Sequence, residues 1–296
     1  MIIEQFGNPE IKDLEYYRRE IDEELEITRK MVEEAEAKDG KLPDAVFDLR
    51  ATLYGLAMEM APDSRKGDLV SMHDLIKPQP GETAVDVAAG TGFLTRSLAE
   101  WTDGETFAID PSAGQLDILK KDCPDVITIT TFPENDEMLI AIPENSVDIA
   151  TSFGGIHHNK HQAELFANIA RMLKPGGRFV AADVRKDTSL SDHFDDVVDK
   201  KCLTHHDMGE WLSEEGLAEL CADLPLEIVH TEMKQLTWDF NSKEEMAVFF
   251  KGLHAYDLPE NEVIADLENT LGFKEEDGKI KLNWPMLFFE IIKKEK

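Results

Sequence analysis

Three observations predict an α/β protein built on a doubly wound, mostly parallel sheet. Residues Ala84 to Leu94 read A-V-D-V-A-A-G-T-G-F-L, an apolar β-branched run that collapses into small residues ending Gly90-Thr91-Gly92. A helical repeat follows at once, with Phe93, Leu94, Leu98 and Trp101 on one face. From Thr83 onward, short apolar strands alternate with amphipathic helices, the rhythm of successive βα units. Seven strands are expected, with helices before the first strand and a helical insert before the last.

The elements follow in order. Residues 9–38 read as one long charged helix with the apolar stripe Ile11, Leu14, Tyr17, Ile21, Leu25 and Val32, stopped by Asp39-Gly40 with Pro43 beyond. A second helical stretch, Ala45 to Met60, carries Val46, Leu49, Leu53 and Leu56. A third, about Lys66 to Ile76, precedes the turn Pro78-Gln79-Pro80-Gly81. Residues 1–78 are therefore a helical segment, serving as a lid or a dimerisation arm. Tyr16, Tyr17 and Tyr54 are its candidates to reach a site, with packing as the alternative. The main domain takes residues 79–296. Its strands are expected at 83–88, Thr106 to Asp110, Val126 to Thr131, Val147 to Ser152, Arg178 to Val184, Leu226 to Phe240 and Ile280 to Ile292. Helices are expected at about Lys160 to Leu173, Met208 to Cys221, 242–255 and 259–271. Residues 186–225 and 241–279 read as insertions that cover a substrate.

Composition excludes more than it names. The chain has 296 residues, 61 acidic and 31 basic, for a net charge of −30. Nucleic acid and anionic membranes would be repelled, so neither is expected as a partner. No window approaches the roughly 18 apolar residues that span a bilayer. The N-terminus lacks the basic-then-apolar pattern of a secretory signal. Three cysteines at unrelated spacings, Cys123, Cys202 and Cys221, suit a reducing compartment, and a cytoplasmic location is expected.

The glycine turn at Gly90-Thr91-Gly92 permits close backbone approach, and the helix behind it offers free N–H groups to a ligand. A dinucleotide fingerprint needs a further glycine where Thr95 stands, and the P-loop Gly-Lys-Ser/Thr is absent. Asp110 lies 24 residues after Asp86, where an acid can accept hydrogen bonds from both hydroxyls of a ribose. Asp110 or Ser112 can also cap the next helix.

The D-V-A-x-G-T-G spelling of Asp86 to Gly92 resembles motif I of the class I S-adenosylmethionine (SAM)-dependent methyltransferases, closest to the ubiquinone/menaquinone-biosynthesis type. Asp110-Pro111-Ser112 is similar to the family's motif II. Glu134 to Asp148 resembles its G-D-A-E-x-L-P-F-x-x-x-S-F-D block, which puts Asp136 at the acid that meets the adenine amino group. Asn135 replaces the glycine there and Ile140-Ala141 the Leu-Pro, so Glu134 or Glu137 could substitute. Leu173 to Val180 matches the L-K-P-G-G-x-F/L turn into strand five. The resemblance, which extends to a closing hairpin ending on Leu287 to Ile292, implies a Rossmann-like fold with the last strand antiparallel, SAM as cofactor with S-adenosylhomocysteine (SAH) as product, and methyl transfer by in-line displacement to a small-molecule acceptor. It implies a cofactor set of Asp86, Ala88, Gly90, Thr91, Gly92, Asp110, Pro111, Asp136, Glu137 and Phe153.

Methyl transfer needs alignment, plus a base where the acceptor must lose a proton. His157 and His158, just past strand four, are the first candidates for that base, followed by His205 and His206. His157, His158, His161, His193, Cys202, His205, His206 and Asp207 also lie after strands four and five, on one sheet edge. With no H-E-x-x-H or C-x-x-C spacing among them, no metal is expected. A SAM-binding regulator or assembly protein without transfer, and other chemistry on the same cradle, are the competing readings. A homodimer through the N-terminal helices is a further possibility.

Overall fold

A computed structural model describes residues 12–135, 137–205 and 210–295. Helix α1 (Leu14–Asp39) starts where the Asp13 carboxylate accepts the Tyr16 N–H, and ends at Gly40 in the left-handed region. A 3-10 turn, Val46–Arg50, leads into α2 (Ala51–Met60), and α3 (Lys66–Ile76) follows. The α/β alternation then runs β1 (Ala84–Val87), α4 (Phe93–Thr102), β2 (Thr106–Asp110), α5 (Ala113–Asp122), β3 (Ile127–Thr130), α6 (Glu137–Ala141), β4 (Val147–Phe153), α7 (Gln162–Met172) and β5 (Leu173–Asp183). Beyond β5, α8 (Ser189–His193) passes through a π turn into α9 (Asp199–Lys201). Next come α10 (Glu214–Cys221), β6 (Leu226–Phe240), α11 (Lys243–His254), α12 (Glu260–Thr270), β7 (Phe273–Glu276) and β8 (Lys279–Lys293).

The sheet order is β3-β2-β1-β4-β5-β8-β6, with β7 paired to β8. The first five strands are parallel, and β8 is antiparallel to β5, β6 and β7. The mixed, Rossmann-like sheet thus appears with eight strands instead of seven. The addition is β7, joined to β8 by Asp277-Gly278. Both turn residues have positive φ, the two-residue hairpin geometry that Asp-Gly favours. Two further differences lie in the 186–225 insertion. Helix α10 begins at Glu214, capped by the Ser213 hydroxyl, and not at Met208, which lies outside the described residues. Residues 189–201 are helical where the sequence suggested only a polar insertion.

Helices cover both faces. One core joins Tyr17, Ile21, Leu53 and Met72 of the N-terminal helices to Phe249 and Phe250 of α11 and to Phe288 of the sheet. The other packs Phe166 and Ile169 of α7 on Phe179 and Phe289. The stripe of α1 is buried within the chain at Tyr17, Ile21, Leu25 and Val32. Ion pairs clamp α1 to the C-terminal helices: Arg18 Nε to Glu260 at 2.6 Å, Lys251 Nζ to Asp22 at 2.5 Å and Arg29 Nε to Asp257 at 2.9 Å. Among the described residues no helix is long and apolar enough to cross a membrane.

Candidate active site

β1 pairs with β2 on one side and β4 on the other, so the strand order reverses at its carboxyl end. Ligands of doubly wound sheets bind in the crevice at such a reversal. The chain leaves β1 through Ala88 at φ 56°, Gly90 at φ 56° and Gly92 at φ 91°. Directly across lies Gly155, after β4, so close that a Cβ there would stand 2.4 Å from that of Ala88.

Two buried carboxylates organise this turn. Asp86 accepts from the Thr95 hydroxyl at 2.6 Å and the Thr151 hydroxyl at 2.9 Å, tying β1 to α4 and β4. Burial pushes its pKa up to about 7, against the two threonine hydrogen bonds and with a contribution from Asp110. Asp110 accepts the Gly90 N–H and the Ser112 N–H, each at 2.8 Å. Burial raises its pKa to about 6.

A cavity of about 190 Å³ opens beside these carboxylates. Asp86, Ala88, Gly90, Asp110, Pro111, Phe153, His157 and His158 all line it. Thr91 and Gly92 are not in its wall: Thr91 is buried, and Gly92 backs onto Leu119. Glu137 is exposed on α6, whereas Glu134 lines the cavity and accepts from Asn159 Nδ2 at 2.9 Å. His205 is exposed, with Nδ1 2.8 Å from the Asp199 carbonyl, and lies outside the wall. Asp136 and His206 lie outside the described residues. Of the three tyrosines, Tyr54 reaches the cavity, while Tyr17 is buried and donates to Glu59 at 3.0 Å.

The N-terminal and C-terminal helices complete the wall with groups that no motif pointed to. Arg65 is 5 % exposed, and its guanidinium lies 3.9 Å from the centre of the Phe93 ring and 4.5 Å from that of Trp238. Asp68 Oδ2 accepts from Arg65 Nε at 3.3 Å and Trp238 Nε1 at 2.9 Å. Arg50, His254 and Trp284 also face the cavity.

His157 is 2 % exposed, and its Nδ1 lies 2.5 Å from Oδ1 of Asp183, the last residue of β5. Asp183 is fixed in turn by the N–H groups of Ile156, His157 and Val184. A carboxylate can only accept, so the Nδ1 proton points at Asp183, which in the neutral imidazole makes Nε2 the acceptor. The one signal for Asp183 was its place at the carboxyl end of a strand next to β4. Among the described residues no group of three or more His, Cys, Asp and Glu side chains is placed to hold a metal ion. His193, one of the metal candidates, is buried with Nδ1 2.8 Å from the Thr270 hydroxyl, and burial lowers its pKa to about 4.

Residues 85–181 match the family model described as methyltransferase domain. Among curated proteins, dimethylglycine N-methyltransferase of Parasynechococcus marenigrum is 30% identical over 139 residues, which cover 46% of this chain and 50% of that protein. Demethylmenaquinone methyltransferase of Renibacterium salmoninarum is 31% identical over 149 residues, covering 48% of this chain and 60% of that one. The chain spans about half the length of the curated relatives it matches. Among solved structures, phosphoethanolamine N-methyltransferase 2 of Haemonchus contortus, in complex with S-adenosyl-L-methionine, superposes with a TM-score of 0.59 at 16% identity, over 86% of this chain and 61% of that one. Residues 85–181 are thus a methyltransferase domain on a Rossmann-like sheet, and this part of the chain is similar to class I SAM-dependent methyltransferases, the enzymes of ubiquinone and menaquinone biosynthesis among them.

Proposed function

We propose that the chain binds SAM at the β1 turn and transfers its methyl group to a small-molecule acceptor held in the adjoining cavity, releasing SAH. The observation that carries this is the joining of two features in one cavity wall: the Gly90–Asp110 cradle and His157, which is backed by the buried Asp183. The cradle fits the donor. Asp110 is a buried carboxylate at the end of β2, and Gly90 holds a φ of 56° that disfavours a side chain, with Gln115 Oε1 2.9 Å from where a Cβ would lie. When bound, SAM supplies a methyl group already activated by its sulfonium.

The chain's own groups then have distinct tasks. Asp110 accepts from the ribose hydroxyls, and Ala88 and Gly90 bring backbone against the donor. Glu134 offers an acceptor at the adenine end, alongside Asp136 from the motif. His157 Nε2 takes a proton from an acceptor that must lose one, and Asp183 stabilises the imidazolium that results. The helices of the N-terminal segment close the cavity with α11 and the ends of β6 and β8, which excludes water and aligns the two substrates.

The relatives' names span dimethylglycine, a quinone precursor and phosphoethanolamine, acceptors with no common shape. The cradle is therefore the shared part, and the wall decides the acceptor. Calorimetric titration with SAM and SAH, beside Asp110→Ala and with NAD as control, tests the reading. Micromolar binding of SAM and SAH that the substitution abolishes is expected. Failure of folded, ligand-free protein to bind either one overturns it.

A further inference from the structure

Arg50 is a buried cation without a carboxylate partner among the described residues. It closes the 3-10 turn that enters α2, is 4 % exposed, and lines the cavity. Nη1 donates to the Leu253 carbonyl at 2.7 Å, the guanidinium lies 4.3 Å from the centre of the Phe47 ring, and Nε has no partner. The other arginine in this wall, Arg65, has Asp68, and Arg18 and Arg29 of α1 are paired with Glu260 and Asp257. In a chain with 61 acidic residues, carboxylates are plentiful, yet among the described residues none is set against Arg50. Burial lowers its pKa to about 10, so it remains charged near neutrality.

An uncompensated buried charge is among the most costly arrangements a fold can hold, and it is relieved when an anion arrives. A guanidinium fork matches a carboxylate or a phosphate. Its position selects which half of the cavity that anion occupies. Rings lead in sequence from the proton acceptor to Arg50: His157 to His158 at 4.1 Å, His158 to Phe47 at 5.0 Å, then Phe47 to Arg50 at 4.3 Å. His254 beside it is held neutral by burial, with Arg50 adding to the effect, so it neither neutralises Arg50 nor competes for the anion.

We propose that Arg50 binds a carboxylate or phosphate group of the methyl acceptor and so turns the atom to be methylated toward His157. This rests on the methyltransferase reading above and names the chemical class of its substrate. The donor's own carboxylate is the other source of such an anion, and the test separates the two.

The full chain, saturated with SAH, is titrated with acetate, benzoate and inorganic phosphate, with benzyl alcohol as the uncharged control. Ligand-detected NMR and calorimetry read the binding for wild type, Arg50→Gln and Arg50→Lys. Expected is binding of at least one anion and not of benzyl alcohol, weakened tenfold or more in Arg50→Gln, less in Arg50→Lys, with SAH affinity unchanged in both. Binding of none of the three anions to SAH-loaded wild type overturns the proposal. So does a loss of SAH affinity in Arg50→Gln while 5′-methylthioadenosine, which lacks the amino-acid carboxylate, binds as before. If wild type binds no SAH, the methyltransferase reading itself has failed. Should Arg50→Gln not fold by circular dichroism, the wild-type titrations and Arg50→Lys still decide.

Discussion

His157 Nδ1, in the wall of the cavity, and Asp183 Oδ1, buried behind it, stand 2.5 Å apart, one from the turn after β4 and the other from the end of β5. Neighbouring parallel strands bring them together: Phe153 pairs with Ala182, so the turn after β4 and the last residue of β5 meet at the same edge. The pair defines one ring nitrogen as donor and leaves the other as acceptor, and a base needs that definition.

Asp183→Asn turns an acceptor toward Nδ1 into a possible donor and disturbs the tautomer. With an acceptor that must be deprotonated, kcat is expected to fall by about 10²–10⁴ in Asp183→Asn and in His157→Gln. The double variant should be little worse than either one, since the two act as a unit. SAH affinity should remain within about twofold in all three, because the hydrogen bonds that hold the cradle, from the Gly90 and Ser112 N–H groups to Asp110, involve neither side chain. Equal kcat in wild type and His157→Gln would remove the proton-transfer role.

Asp110 gives donor binding a pH dependence of known sign. Its pKa in the free protein is raised to about 6 by burial. Ribose hydroxyls donate to the ionised form, so binding favours the carboxylate. SAH affinity should therefore rise as pH increases through about 6 and level off above it, with proton release on binding on the acid side. Calorimetry in two buffers of different ionisation enthalpy reads both effects. Asp110→Asn should flatten the profile.

Gly155 faces Ala88 across the turn with a φ of −129°, a conformation open to any residue. A substitution there is tested by space alone. Gly155→Ala would put a Cβ 2.4 Å from the Ala88 Cβ, and the motif turn must move to admit it. A cost of about 1–3 kcal/mol in urea unfolding is expected. SAH affinity should fall as well, since Ala88 and Gly90 move with the turn. An Ala variant of unchanged stability and affinity would show that the turn is not held from this side.

What the sequence disclosed and what it hid divide along a physical line. Helix α3 at Lys66–Ile76 and strand β6 at Leu226–Phe240 begin and end where the pattern put them, because local periodicity and turn residues set both. The β1 turn was legible for the same reason, since its glycines act within a few residues. Strand β7 was hidden because Phe273–Glu276 is short, charged and largely exposed, although Asp277-Gly278 marks its hairpin. Arg50, Arg65 and Asp183 were hidden differently. Arg and Asp read as surface residues unless partners are known, and their partners Leu253, Trp238 and His157 come from elsewhere in the chain.

Asp68 and Arg65 provide the most direct test of how the cavity wall is held. Asp68 is fully buried and Arg65 5 % exposed, one turn apart in and just before α3. The same Asp68 oxygen accepts from Trp238 Nε1, so the pair fixes both the helix and an aromatic ring stacked 3.8 Å from Trp284. Asp68→Ala removes one charge and strands the other among Phe93, Phe153 and Trp238, at an expected cost of about 3–5 kcal/mol. Asp68→Ala with Arg65→Met removes both charges and leaves an apolar wall, so the double variant should recover most of that loss. A double-mutant cycle in urea unfolding measures the coupling. Additive losses would mean that the two charges are solvated independently and that Phe93 and Trp238 hold Arg65 unaided.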